Sequence, residues 1–259
     1  MAGDPYRRPD RHSHRTIAPG TGRNPRLVIL SLIQPLIILI LFSQVFNGVA
    51  GVDGFPPGIG YIDYLMPGII VITGVGGALG SGIGLVDDLN NGVIGRLRAL
   101  PISMISVLVA RSLADLAGTA VQMLLLTAFG VAVFGFDPAG GIAGQAATTL
   151  LALFVSWSLT WIFLALAAWQ RNAAFMQSLG FMAMFPLMFA SSFFVPITTM
   201  PTWLQLVATA NPLTHALDTA RNLAFGHPTG STIWAALGTS LVLLTIGMAT
   251  AALVIRRAR

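Results

Sequence analysis

Apolar positions dominate this chain and run in long unbroken blocks. Uncharged stretches cover residues 27–52, 64–86, 116–136, 138–170, 172–217 and 222–255. A helix needs about 20 apolar residues to cross a bilayer, so each stretch has room for one. The pattern predicts spans near 27–47, 64–86, 107–134, 145–168, 174–195 and 232–254. The stretch 172–217 has room for two. Its second half carries Pro201, Gln205, Asn211, Pro212 and His215, which predicts short helices at the outer face and not a further crossing.

Within the blocks, spacing adds detail. Span one contains Pro35, which frees a carbonyl one turn earlier and needs a neighbour to satisfy it. In span two, Gly76, Gly80 and Gly84 recur every four residues, so they share one face on which another helix backbone can approach closely. That face serves tight packing or a sliding surface. In the inner loop, Leu89, Val93, Leu97 and Leu100 share a helical face. Asp88 is placed to cap its start and Pro101 to end it. This short amphipathic helix, with Arg96 and Arg98 off the apolar face, must lie on lipid or dock on a partner, because it is too short to stand alone. Arg111 and Asp115 are four apart at the inner end of span three and form a pair there. Span five is rich in Met and Phe, including Met182, Phe185, Met188, Phe189 and Phe193. Such residues make adaptable apolar surfaces, either packing or a wall for a greasy substrate. Trp203 suits an interfacial anchor, and Asp218 and Arg221 are three apart and suited to pair.

Composition then fixes the class. Hydrophobic residues make up 55% of the 259 and charged residues 9%, where a soluble domain carries about 25% charged. The fold class is therefore an all-α integral membrane protein. Residues 1–26 read as a polar basic cytoplasmic arm and 27–259 as a six-span domain. The arm does not read as a cleaved signal. Arg marks cytoplasmic flanks. With six spans and both termini inside, 13 of the 14 basic residues fall on the inner side, and only Arg221 falls outside.

Chemistry is defined by what is missing. There is no Cys, no Lys and no Glu. This removes thiolate sites, the Lys-bearing phosphate loop and the His-Glu-x-x-His zinc helix. His215 and His227 have no metal-ligand spacing, so no metal site is expected. The basic residues are split among membrane flanks, so no nucleic-acid stripe forms. Asp115 lies near the water interface and no other span holds an ionisable residue near its centre, which counts against a proton-coupled carrier.

The segment from Asp87 to Asp115 resembles the signature of ATP-binding-cassette export permeases of the second type, in the branch of daunorubicin-resistance-like multidrug and lipid permeases. Arg23 to Phe46 is similar to that family's first span, and Pro201 to Gly226 to its outer segment. The resemblance implies a bacterial cell-membrane subunit without catalysis, paired with a second copy or paralogue. It also implies a dimer of cytoplasmic ATPase subunits, which would bind ATP and Mg in place of this chain. It places the ATPase-coupling helix at about 88–100, with Asp88, Gly92, Arg96, Leu97, Arg98, Pro101 and Ser103 as its residues. It makes Pro201, Trp203, Asn211, Pro212, Asp218 and Arg221 an outer gate. The cargo it implies is an amphipathic drug, a lipid or, in a sister branch, a polysaccharide. Two departures stand out. Prolines and glycines before residue 26 argue against the family's long leading helix, and Met104 stands where a charged residue is common. The rival readings are a secondary carrier or channel, and an intramembrane enzyme acting on lipid.

Overall fold

The structure is a computed structural model that describes residues 25–45, 55, 59–93 and 103–257. The described residues form α1 (Pro25–Val45), α2 (Tyr61–Asn90), α3 (Met104–Phe134), α4 (Gly141–Gln170), α5 (Ala173–Phe189), a 3-10 turn (Ile197–Thr199), α6 (Thr202–Ala210), α7 (Pro212–Ala224) and α8 (Thr232–Arg257). There are no strands among them. Four helices are long and apolar enough to cross a membrane: α2, α3, α4 and Thr232–Val254 of α8. The apolar helices Leu30–Val45 and Ala173–Phe189 are shorter. At 17 residues, α5 is about 26 Å long, a little under the roughly 30 Å hydrocarbon core. The second half of the 172–217 stretch is broken into the 3-10 turn and the short helices α6 and α7, each shorter than a bilayer crossing needs.

Turn chemistry sets the boundaries. Gly135 takes a left-handed φ of 67° and ends α3; its N–H donates to Val131 O and the Phe136 N–H to Gly130 O, each at 3.2 Å. Arg171 ends α4 at φ 51°. Asn172 then starts α5 at once, its side chain accepting from the Phe175 N–H at 3.0 Å. The Pro35 problem is solved as expected: proline in a helix frees the carbonyl four residues back, and the Gln122 amide of α3 donates to Ser31 O at 3.0 Å.

The core forms around α4, with α2 on one side, α8 on the other and α7 across its start. Small residues bring the backbones together. A Cβ on Gly74 would lie 3.0 Å from Ser156 Cβ and 3.2 Å from Ala152 O, and one on Gly82 would lie 2.9 Å from Phe163 Cβ. Ala78, between them, is fully buried. The packing face of α2 is therefore Gly74, Ala78 and Gly82. Gly76 and Gly80, expected to be that face, have no atom of another element within 4 Å of a built Cβ among the described residues. Two residues are about 200° of helix, so a shift of two turns the face to the opposite side. On α8, Gly247 lets the backbone of Trp161 and Ile162 approach to 2.8 Å of its own Cβ position. At the start of α4, Gly140 rests on the end of α7. Its N–H donates to Ala224 O at 2.8 Å, and a Cβ there would lie 2.7 Å from Leu223 O. Thr148 Oγ1 adds a 3.0 Å bond to Ala220 O.

Candidate functional site

Three features combine: an ion network where α2 ends and α3 begins, a cavity beside it, and a buried arginine at the other end. In the network Arg111 and Asp115 pair, with Nε 3.5 Å from Oδ2. Two partners come from α2. Asp88 pairs with Arg111 Nη1, and Ser81 donates to Asp115 Oδ2. A Cβ on Gly84 would run into the Arg111 guanidinium, so glycine there leaves room for the cation. Ser81, Gly84 and Asp88 are spaced three and four apart, which is one helical face; that spacing was present in the sequence but did not reveal which helix it faced. Arg96, Leu97, Arg98 and Pro101 lie outside the described residues. Gly92 follows α2 at φ 71°. Ser103 precedes α3, exposed and without a side-chain cap.

Beside this network lies a cavity of about 540 Å³ walled by α1, α2, α3 and α5, within the usual size of ligand pockets. One end is charged, with Asp87, Arg111 and Asp115. Its middle carries Gln34, Thr73, Gln122 and Gln177, and the apolar wall includes Ile38, Ile69, Ile72, Phe181 and Met184. Gly76, Gly80 and Gly84 line it too, so the stripe expected to seal a helix contact instead keeps a wall open. Thr73 is 7% exposed, and its hydroxyl, on a cavity-lining residue, has no partner. An unpaired buried hydroxyl costs free energy, and a polar occupant of the cavity would relieve that.

Of the five α5-region residues expected to form a substrate wall, only Phe193 lines this cavity. Met182, Phe185 and Phe189 are exposed, and Met188 packs against the main core. The inward face of α5 is Met176, Gly180 and Met184, the first two buried. From the exposed rings a ladder runs inward: Phe185 to Phe189 at 4.5 Å, Phe189 to the buried Phe194 at 4.8 Å, and Phe194 to Phe42 of α1 at 4.5 Å.

At the opposite end Arg221 is 7% exposed and fully engaged. Its Nε donates to Tyr64 O at 2.9 Å and its Nη2 to Phe193 O at 3.0 Å. Its Nη1 reaches Ser192 Oγ at 3.1 Å and Asp218 Oδ1 at 3.3 Å. The guanidinium carbon sits 3.7 Å over the Tyr64 ring. Tyr64 in turn donates to Ser192 O at 2.8 Å. The Asp218–Arg221 pair was readable from spacing, while the partners on α2 and the turn after α5 were not. Asn211 works beside it. Its side-chain oxygen accepts from the Leu213 N–H at 3.0 Å. Its amide donates to Leu187 O at 2.7 Å and Ala190 O at 2.8 Å. These are carbonyls at the end of α5, where helices leave acceptors unsatisfied. Pro212 opens α7 at the position that needs no N–H donor. Pro201 precedes α6, and Trp203 on it is 68% exposed. Among the described residues, no group of three or more His or Asp side chains is placed to hold a metal ion.

Residues 16–225 match the ABC-2 type transporter family. The daunorubicin resistance ABC transporter permease protein DrrB1 of Streptomyces coeruleorubidus is 31% identical over 202 residues, covering 78% of this chain and 70% of that one. The protein ycf38 of Porphyra purpurea, named as a transport permease, is 29% identical over 199 residues, covering 77% and 68%. The doxorubicin resistance ABC transporter permease protein DrrC of Mycobacterium tuberculosis is 22% identical over 214 residues, covering 81% and 76%. With apolar helices long enough to cross a bilayer and a family match over most of its length, this chain is a multi-pass membrane protein that belongs to the ABC-2 type transporter family.

Proposed function

We propose that the chain is the membrane subunit of an ATP-driven exporter of an amphipathic small molecule or lipid. It crosses the cytoplasmic membrane of a bacterium six times, with both termini inside. It pairs with a second permease copy or paralogue and is driven by a dimer of ABC ATPase subunits, which bind the ATP and Mg. The observation that carries this reading is the cavity, charged at one end and apolar along its wall, in a chain of this family. A ligand with a polar end and a greasy body finds partners for both parts there. The drug names attached to the relatives support an amphipathic aromatic cargo such as daunorubicin or doxorubicin. ATP binding favours one arrangement of the assembly over another by differential affinity, and the loop after α2 passes that bias to the spans.

The test is co-expression with a candidate ABC ATPase sought in the neighbouring reading frames, followed by co-purification and reconstitution. ATP hydrolysis that rises with daunorubicin, together with ATP-dependent dye movement into vesicles, is the expected result. Arg98→Glu and Leu97→Pro are expected to leave hydrolysis uncoupled from movement. Transport that follows a proton gradient with no ATPase present would overturn the proposal.

A further inference from the structure

We propose that Arg111 is a positioning residue that relays motion between the inner loop and the cavity wall. This rests on the reading above. Arg111 touches both parties. Asp88 stands in the last turn of α2, directly before the loop, and does not line the cavity; Asp115 does line it, as does Arg111 itself. Asp115 is also held by Ser81 on the same cavity wall. A pull on Asp88 therefore moves the guanidinium, and the guanidinium moves Asp115 and the polar end of the cavity. All four side chains stand on helices, so a displacement is passed on and not absorbed by a flexible segment. The side chains of Arg111 and Asp115 are 22% and 25% exposed and that of Asp88 is 36% exposed, so the Arg111–Asp115 contact is shielded from screening more than the Asp88 contact is.

Gly84 is the second element of the relay. A Cβ there would meet only the guanidinium within 4 Å. Alanine at this position fits the helix but displaces the cation from its seat. Lysine in place of Arg111 keeps the charge and the bulk. It lacks the fork that lets one group hold two carboxylates at once.

The chain has no cysteine, so an introduced thiol is its only one. The experiment places a bimane dye on Gly80→Cys, in the cavity wall, with the full chain bound to its ATPase in phosphatidylethanolamine–phosphatidylglycerol nanodiscs. The change in emission on trapping ATP with vanadate is scored per trapped nucleotide, so altered hydrolysis alone does not register. The reference protein is expected to respond. Adding Arg111→Lys or Gly84→Ala is expected to cut the response about fivefold or more, at or beyond the low end of ordinary coupling between sites. A merely structural staple would be satisfied by lysine, and its response would stay at the reference level. That outcome, or an equal response in Gly84→Ala, overturns the relay. So does a silent reference whose ATPase is bound and traps nucleotide. Absence of any co-purifying ATPase instead defeats the exporter reading on which the relay rests.

Discussion

Asn211 joins two elements with one side chain, and its two roles separate by substitution. Its oxygen caps α7 through the Leu213 N–H, and its amide holds the Leu187 and Ala190 carbonyls at the end of α5. The residue is 5% exposed, so water does not replace what is removed. Loss of a helix cap costs about 1 kcal/mol. Loss of each inter-element hydrogen bond inside a membrane protein costs about 1 kcal/mol. Asn211→Ala removes all three and is expected to destabilise the chain by about 3 kcal/mol. Asn211→Ser keeps an equally good cap but is too short to reach either carbonyl, so it is expected to lose about 2 kcal/mol. The assay is a sodium dodecyl sulfate titration in mixed micelles, followed by tryptophan fluorescence. The expected order is wild type, then Ser, then Ala. A Ser variant as stable as wild type would show that the bonds to α5 contribute nothing.

Three further outcomes are checked in the same titration. Gly74→Ala, which pushes into Ser156 and the Ala152 carbonyl, is expected to cost about 2 kcal/mol. Gly76→Ala meets nothing within 4 Å and is expected to be neutral or to gain up to about 1 kcal/mol of helix propensity; the reverse order would refute the packing register of α2. Arg221→Met removes the cation beside the Asp218 carboxylate, which keeps only its bond from Ser192 Oγ, and the side-chain donor to two carbonyls, and is expected to cost about 3 kcal/mol. Arg221→Lys recovers less than half of that, since an ammonium cannot fork to four acceptors and cover the Tyr64 ring. Trp203→Ala, at a position 68% exposed, is expected to stay within about 0.5 kcal/mol, and a larger loss would show that α6 is held more firmly than its burial implies.

Much of the fold could be read from where charges stop and start. The four long spans fall where the uncharged stretches place them, because a bilayer penalises charge so strongly that the pattern has few alternatives. The break after α5 was readable from its prolines and Asn211. The facing of helices was not. In α2, glycine and alanine recur on more than one face, so four-residue spacing gave a period without a phase; the packing face proved to be Gly74, Ala78 and Gly82. In α5, Met and Phe occur all round, and composition could not tell the inward Met176 and Met184 from the outward Met182 and Phe185. Long-range polar partners were hidden for the same reason. Asp218 and Arg221 lie one turn apart and announce themselves, whereas Ser192, Tyr64 and Asp88 reach their partners only after distant helices meet.

The seam where Gly140 and Thr148 of α4 lie on α7 has a mechanical consequence. At Gly140 backbone touches backbone, and at Thr148 only a short hydroxyl side chain stands between the two elements, so the seam has little compliance. Arg221 fastens the same helix to α2 and to the turn after α5. Helices α2, α4 and α7 are thus braced against one another, so a load on one is carried by all three, while the short α6 with its exposed Trp203 stands outside that brace.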